Sequence, residues 1–114
     1  MNPILIVDDE FLIRYTLEEG LKDRGYDAYS AATVEEGLEF VRKYHPGVLL
    51  LDNLLENSVG MDEIVNFKNA DEELQVIMMT AYGSVSQAVE ATKRGAYDYI
   101  LKPVSYTHLR AHET

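Results

Sequence analysis

Two rhythms of apolar and polar residues alternate along the chain. "ILIV" at 4–7 is continuously apolar with three β-branched residues, the pattern of a strand covered on both faces. A helical period follows. Ile13, Leu17 and Leu21 mark one stripe over residues 10–24, and Gly25 supplies a stop. Tyr26–Ser30 predicts a second, weaker strand. Thr33 opens "TVEE", a capping box, and Val34, Leu38 and Val41 carry the next helical stripe until "HPG" at 45–47. "VLLL" at 48–51 predicts a buried strand, residues 60–68 a short helix, and "LQVIMM" at 74–79 another buried strand. Ser84 opens "SVSQ", a second capping box, on an Ala-rich helix that runs to Gly95. "YDYIL" at 97–101 predicts the last strand.

Strand–helix units that repeat and close on a fifth strand predict an α/β fold, a doubly wound parallel sheet with helices on both faces. The 114 residues suffice for one domain, and no repeat, low-complexity segment or internal linker divides them. No window reaches the length of a membrane helix and no signal peptide is visible, so a cytoplasmic, membrane-free protein is expected. With no cysteine, disulfides and thiolate metal sites are excluded. A net charge of −10 argues against direct nucleic-acid binding by this chain, because phosphates need a basic surface. The acids are either a solvated surface or a cation site, and their placement chooses between the two.

In an open parallel sheet, function gathers at the carboxyl ends of the strands. The first predicted strand runs into Asp8 and Asp9, the third into Asp52, the fourth into Thr80 and the fifth into Lys102. Each has a plain structural alternative, such as a turn former, a helix cap or a surface lysine. Together on one edge they form a chemical set. Carboxylates held close raise one another's pKa, and a hard cation such as Mg²⁺ relieves the conflict. Asp8 and Asp9 would help hold it, with Asp52 sharing it. A carboxylate can attack phosphorus to form an acyl phosphate, and Thr80 and Lys102 would then stabilise the phosphoryl oxygens.

The strings "LIVDDE", "LLLDN", "MMTAYGS" and "GAYDYILKP" resemble the receiver domain of response regulators, the phospho-acceptor half of two-component signalling. "TAYGSVSQAVEATKRGAYDYILKP" is similar to the nitrogen-regulation class, whose full-length members often activate sigma-54 promoters. The resemblance covers residues 2–103. It implies a flavodoxin-like sheet of order 2-1-3-4-5, with Asp52 as phospho-acceptor. Mg²⁺ is implied on Asp8, Asp9, Asp52 and the backbone carbonyl of Leu54. Thr80 and Lys102 contact the phosphoryl group, Lys102–Pro103 is a cis peptide, and Tyr99 turns inward as Thr80 moves. The implied donor is a sensor histidine kinase or a phosphotransfer protein. The implied readout is a changed face on the fourth helix and fifth strand, which controls a transcriptional output domain and forms a homodimer in the complete protein. The receiver phosphorylates itself and is not an enzyme in the usual sense.

Two competing classes fit less well. A Mg²⁺-dependent phosphohydrolase with an Asp nucleophile usually places that residue after the first strand, with a second Asp two positions on. A flavodoxin-like cofactor binder needs a phosphate cradle where this chain carries three acids. One stretch departs from the receiver pattern: in "NLLENSVGMDE", Glu56 stands at the usual proline position, while Gly60 falls where glycine is expected. Leu54 and Tyr82 are bulky at positions that flank the path of attacking water, so slow autodephosphorylation is expected. After Pro103 the family has a fifth helix. Here the chain reads "VSYTHLRAHET", which resembles one reading frame of a transposase-type sequencing adapter at every residue. Residues 1–103 are therefore expected to be a C-terminally truncated receiver and 104–114 a non-native tail, with one sheet face partly uncovered and stability reduced.

Overall fold

Alternation within the strands decides how the layers assemble. The computed structural model describes residues 2–55, 59–81 and 84–102. Five strands, β1 (Ile4–Val7), β2 (Ala28–Ala31), β3 (Val48–Asp52), β4 (Gln75–Thr80) and β5 (Asp98–Leu101), pair in parallel in the order β2-β1-β3-β4-β5. Four helices connect them: α1 (Phe11–Asp23), α2 (Val34–Tyr44), α3 (Gly60–Ala70) and α4 (Val85–Lys93). Successive strand side chains point to opposite faces. Leu5, Val7, Leu49, Leu51, Val76 and Met78 meet Val41, Ile64, Phe67 and Ala91 from α2, α3 and α4. Ile4, Ile6, Leu50, Ile77, Met79 and Ile100 share the other face with Leu17 and Leu21 of α1. Two cores with a sheet between them explain why the strands read as unbroken apolar runs.

The caps hold as the sequence predicts. The Thr33 hydroxyl accepts from the Glu36 N–H, and the Ser84 hydroxyl accepts from the Gln87 N–H, both at 3.2 Å. The expected strand at 26–30 is displaced to 28–31, for a local reason. Gly25, at φ 90°, closes α1 by donating to the Lys22 carbonyl, and the Tyr26 N–H donates to the Leu21 carbonyl. Tyr26 and Leu21 then pack together in the same core. That closure commits Tyr26 to the helix end, and the strand starts two residues later. Glu56, Tyr82, Pro103 and residues 104–114 lie outside the described residues, and with them the Lys102–Pro103 cis peptide and the tail.

Candidate functional site

The sheet's own ladder builds the site. Asp52 is the last residue of β3 and Thr80 the last of β4, each at the carboxyl edge. The bonding continues one step past the strands. The Asp8 N–H donates to the Ala31 carbonyl, the Asn53 N–H to the Met79 carbonyl at 2.9 Å, and the Lys102 N–H to the Thr80 carbonyl at 2.8 Å. Residues that would otherwise lie on loops are thus fixed by main-chain geometry.

Asp8 is fully buried, and Asp52 and Thr80 are nearly so. The Lys102 ammonium lies between the two carboxylates, 2.9 Å from Asp8 Oδ2 and 3.1 Å from Asp52 Oδ1. Desolvation pushes the Asp52 carboxyl above its ordinary pKa; hydrogen bonding to Lys102 opposes this and the Asp8 charge adds to it. Burial works against the Lys102 charge as well, but the bonds to Asp8 and Asp52 outweigh it and its pKa lies above the usual ammonium value. One ammonium balances two buried carboxylates only in part, so the site retains an excess of negative charge.

The carboxylates of Asp8, Asp9 and Glu10 bring ligand oxygens within 4.8 Å of one another. An all-oxygen, carboxylate-rich set fits a hard divalent cation. Asp8 also accepts the Glu10 N–H through Oδ1 at 2.9 Å, and Arg14 donates to the Asp8 carbonyl at 2.8 Å while lying over the Phe11 ring. Leu54 stands two residues after Asp52, with its N–H 3.4 Å from Asp52 Oδ1 and an exposed side chain. Tyr99 is half-buried, and its hydroxyl donates to Gln87 Oε1 on α4 at 2.7 Å.

Asp8, Asp52, Thr80 and Lys102 therefore meet at one edge, with Asp9 and Leu54 beside them. Three contributors escaped the sequence reading. Glu10 was visible in "DDE" but had no assigned role. Arg14 stands one helical turn beyond Glu10, so its reach back to Asp8 could have been inferred. Asn53 is buried and bonds through its side chain to Met61 N–H, and no local pattern signals that contact.

The family model of the response regulator receiver domain matches residues 4–113. Sporulation initiation phosphotransferase F of Bacillus subtilis (strain 168) is 36% identical over 107 residues, 94% of this chain and 86% of that protein. Regulatory protein AtoC of Escherichia coli (strain K12) is 34% identical over 109 residues, 96% of this chain but 24% of its own length. This chain thus spans about a quarter of AtoC. Among solved structures, a response regulator protein from Burkholderia pseudomallei with a phosphorylated aspartic acid, calcium ion and citrate superposes with a TM-score of 0.91 at 27% identity, over 100% of this chain and 67% of that one. The beryllofluoride-activated NtrC4 receiver domain dimer gives a TM-score of 0.87 at 32% identity, over 97% and 92% of the two chains.

Proposed function

Since this chain belongs to the response regulator receiver domain family of two-component signalling, we propose that Asp52 is its phospho-acceptor. The observation that carries the assignment is the Lys102 ammonium shared between buried Asp8 and Asp52, with Thr80 at the end of the adjacent strand. An Asp52 carboxylate oxygen attacks the phosphorus of a phosphohistidine, on a sensor histidine kinase or a phosphotransfer protein. The P–N bond breaks, the imidazole leaves and takes up a proton, and an acyl phosphate remains on Asp52.

Asp8, Asp9, Asp52 and the Leu54 carbonyl would hold Mg²⁺, which supplies charge neutralisation at the phosphoryl oxygens when bound. Lys102 is already within reach of Asp52 and exchanges its carboxylate contact for a phosphoryl oxygen. Thr80 donates its hydroxyl to another. Tyr99 gives up Gln87 and turns inward, which alters the face of α4 and β5. That face carries exposed Val85, Val89, Tyr97 and Leu101. It is the surface for the output and for a homodimer, the output being transcriptional as in the relatives named as transcriptional regulators. The chain acts in the cytoplasm without binding nucleic acid itself. Among the described residues no helix is long and apolar enough to cross a membrane.

Residues 1–103 are the receiver, and 104–114 are a non-native tail. This boundary rests on the string "VSYTHLRAHET" itself, since the family match runs to residue 113. Adapter-free long reads across codon 103 test it. Divergence after Pro103 supports the boundary, and a genomic copy of the same string removes it.

The activity is tested by incubating the chain with a small acyl-phosphate donor and Mg²⁺ and weighing it. One phosphoryl group should be gained, and the gain should vanish with chelator and in Asp52→Asn. A modified Asp52→Asn protein overturns the assignment.

A further inference from the structure

Resting on Asp52 as phospho-acceptor, we propose that Asn53 is a positioning residue, which fixes the main chain beside Asp52 by capping α3 from the end of β3. A helix leaves its first N–H groups without intrahelical partners, and a side chain at the N-cap normally accepts one of them. The N-cap of α3 is Val59, which has no side-chain acceptor and makes no such bond. Its role passes to a residue six positions earlier. The Asn53 carbonyl accepts the Gly60 N–H at 2.7 Å, and Asn53 Oδ1 accepts the Met61 N–H at 3.1 Å. Gly60 and Met61 are the first two residues of α3.

Asn53 is itself fixed on the other side, because its N–H donates to the Met79 carbonyl of β4. It is 7% exposed, one of four buried polar or charged residues alongside Asp8, Asp52 and Thr80 among the described residues. A buried amide is costly unless bonded, so its orientation is set by the α3 N–H it accepts. Gly60 makes the approach feasible. A Cβ there would collide with the Asp52 carbonyl oxygen and stand 3.0 Å from Asn53 Cα. The end of β3 and the start of α3 are thereby fixed to each other, and Leu54, with its N–H toward Asp52 Oδ1, follows directly on that anchored residue. Reaction at Asp52 needs its carboxylate and the adjacent main chain in one geometry, and displacements of about 1 Å can cost as much as 100-fold in rate.

The test compares wild type with Asn53→Leu, which keeps the approximate size and loses the acceptor, and Asn53→Asp, which keeps it. The readouts are the Met61 amide proton exchange rate, the melting temperature, and the rate of phosphorylation by acetyl phosphate at saturating Mg²⁺. In wild type the Met61 amide should be protected. A freely exchanging Met61 amide in folded wild type overturns the proposal without any variant, even if Asn53→Leu fails to fold. Asn53→Leu should lose that protection and react about tenfold more slowly or worse, while Asn53→Asp regains the protection and most of the rate. A purely structural cap would lower the melting temperature and leave the saturated rate of the folded variant unchanged, and that result overturns the proposal. Equal rates for Asn53→Asp and Asn53→Leu do the same. A wild type that takes no phosphoryl group fails the reading of Asp52 instead, and is recognised before any variant is compared.

Discussion

Asp52 and Lys102 show how two opposite charges in contact can differ in what burial does to them. Asp52 loses more by desolvation than it recovers from one shared ammonium, and Asp8 adds repulsion, so its folded pKa is raised. Lys102 has two carboxylate partners and keeps its proton more firmly than in water. The signs follow from proton linkage. Between the ordinary carboxylate pKa and the raised folded one, the native state holds the extra proton at Asp52. Its contribution to stability therefore falls as pH rises through that window, and above it a constant penalty remains. The Lys102 contribution is present below the ordinary ammonium pKa and is lost as pH rises through its raised folded value. Asp52→Asn should accordingly melt higher than wild type at pH 7, with the gap closing below the carboxylate range. Each kcal/mol recovered is worth roughly 4–8 °C in a domain near this size. Calorimetry at pH 7 and at acid pH checks this, and a lower melting temperature for Asp52→Asn at pH 7 would contradict it.

At the scale of elements, α4 stands apart from the other helices. Its one buried residue is Ala91, and Val85 and Val89 are exposed, whereas α3 buries Met61, Ile64 and Phe67. Small side chains remove little apolar surface from water, so α4 has the least burial to lose on moving. Its position depends on its ends and on two polar ties. Ser84 caps the first turn, Tyr99 bonds Gln87, and Arg94 reaches from the last turn to Asp62 at 2.7 Å and to the Met61 carbonyl at 3.4 Å. Exposed ion pairs are worth little, so the Ser84 cap counts for more than Arg94. Hydrogen exchange should find the α4 amides less protected than those of α2 and α3. Ser84→Ala should cost about 1 kcal/mol locally and speed exchange in α4 while leaving β1 and β3 unchanged. Uniform exchange across all four helices would remove α4 as the yielding element.

At the scale of the molecule, the two sheet faces are furnished unequally. Among the described residues α2, α3 and α4 contribute to one core and α1 to the other. Ile77, Met79 and Ile100 carry the second face toward β4 and β5, while α1 packs at the β1–β2 side. Residues buried at that end need apolar cover, and in composition "VSYTHLRAHET" offers only Val104, Tyr106 and Leu109 as large apolar side chains. Replacing 104–114 by a helix-forming segment with a Leu stripe should raise the melting temperature by about 4 °C or more, equivalent to about 1 kcal/mol. Calorimetry of the two chains compares them, and an unchanged or lower value would show that the present tail already covers the face.

The sequence by itself determined the repeating strand–helix units, both side-chain caps and the edge on which the acids, Thr80 and Lys102 collect. These depend on local periodicity and on the rule that parallel strands end together, and both are written in consecutive residues. Where "YDAYS" begins its strand was not legible, because Tyr26 was claimed by the closure of α1 against Leu21. Tertiary structure alone decided that Lys102 sits between Asp8 and Asp52 and that Asn53 caps a helix beginning at Gly60. Such contacts join residues up to 94 positions apart, and their energies depend on burial and direction, which no window of neighbouring residues contains.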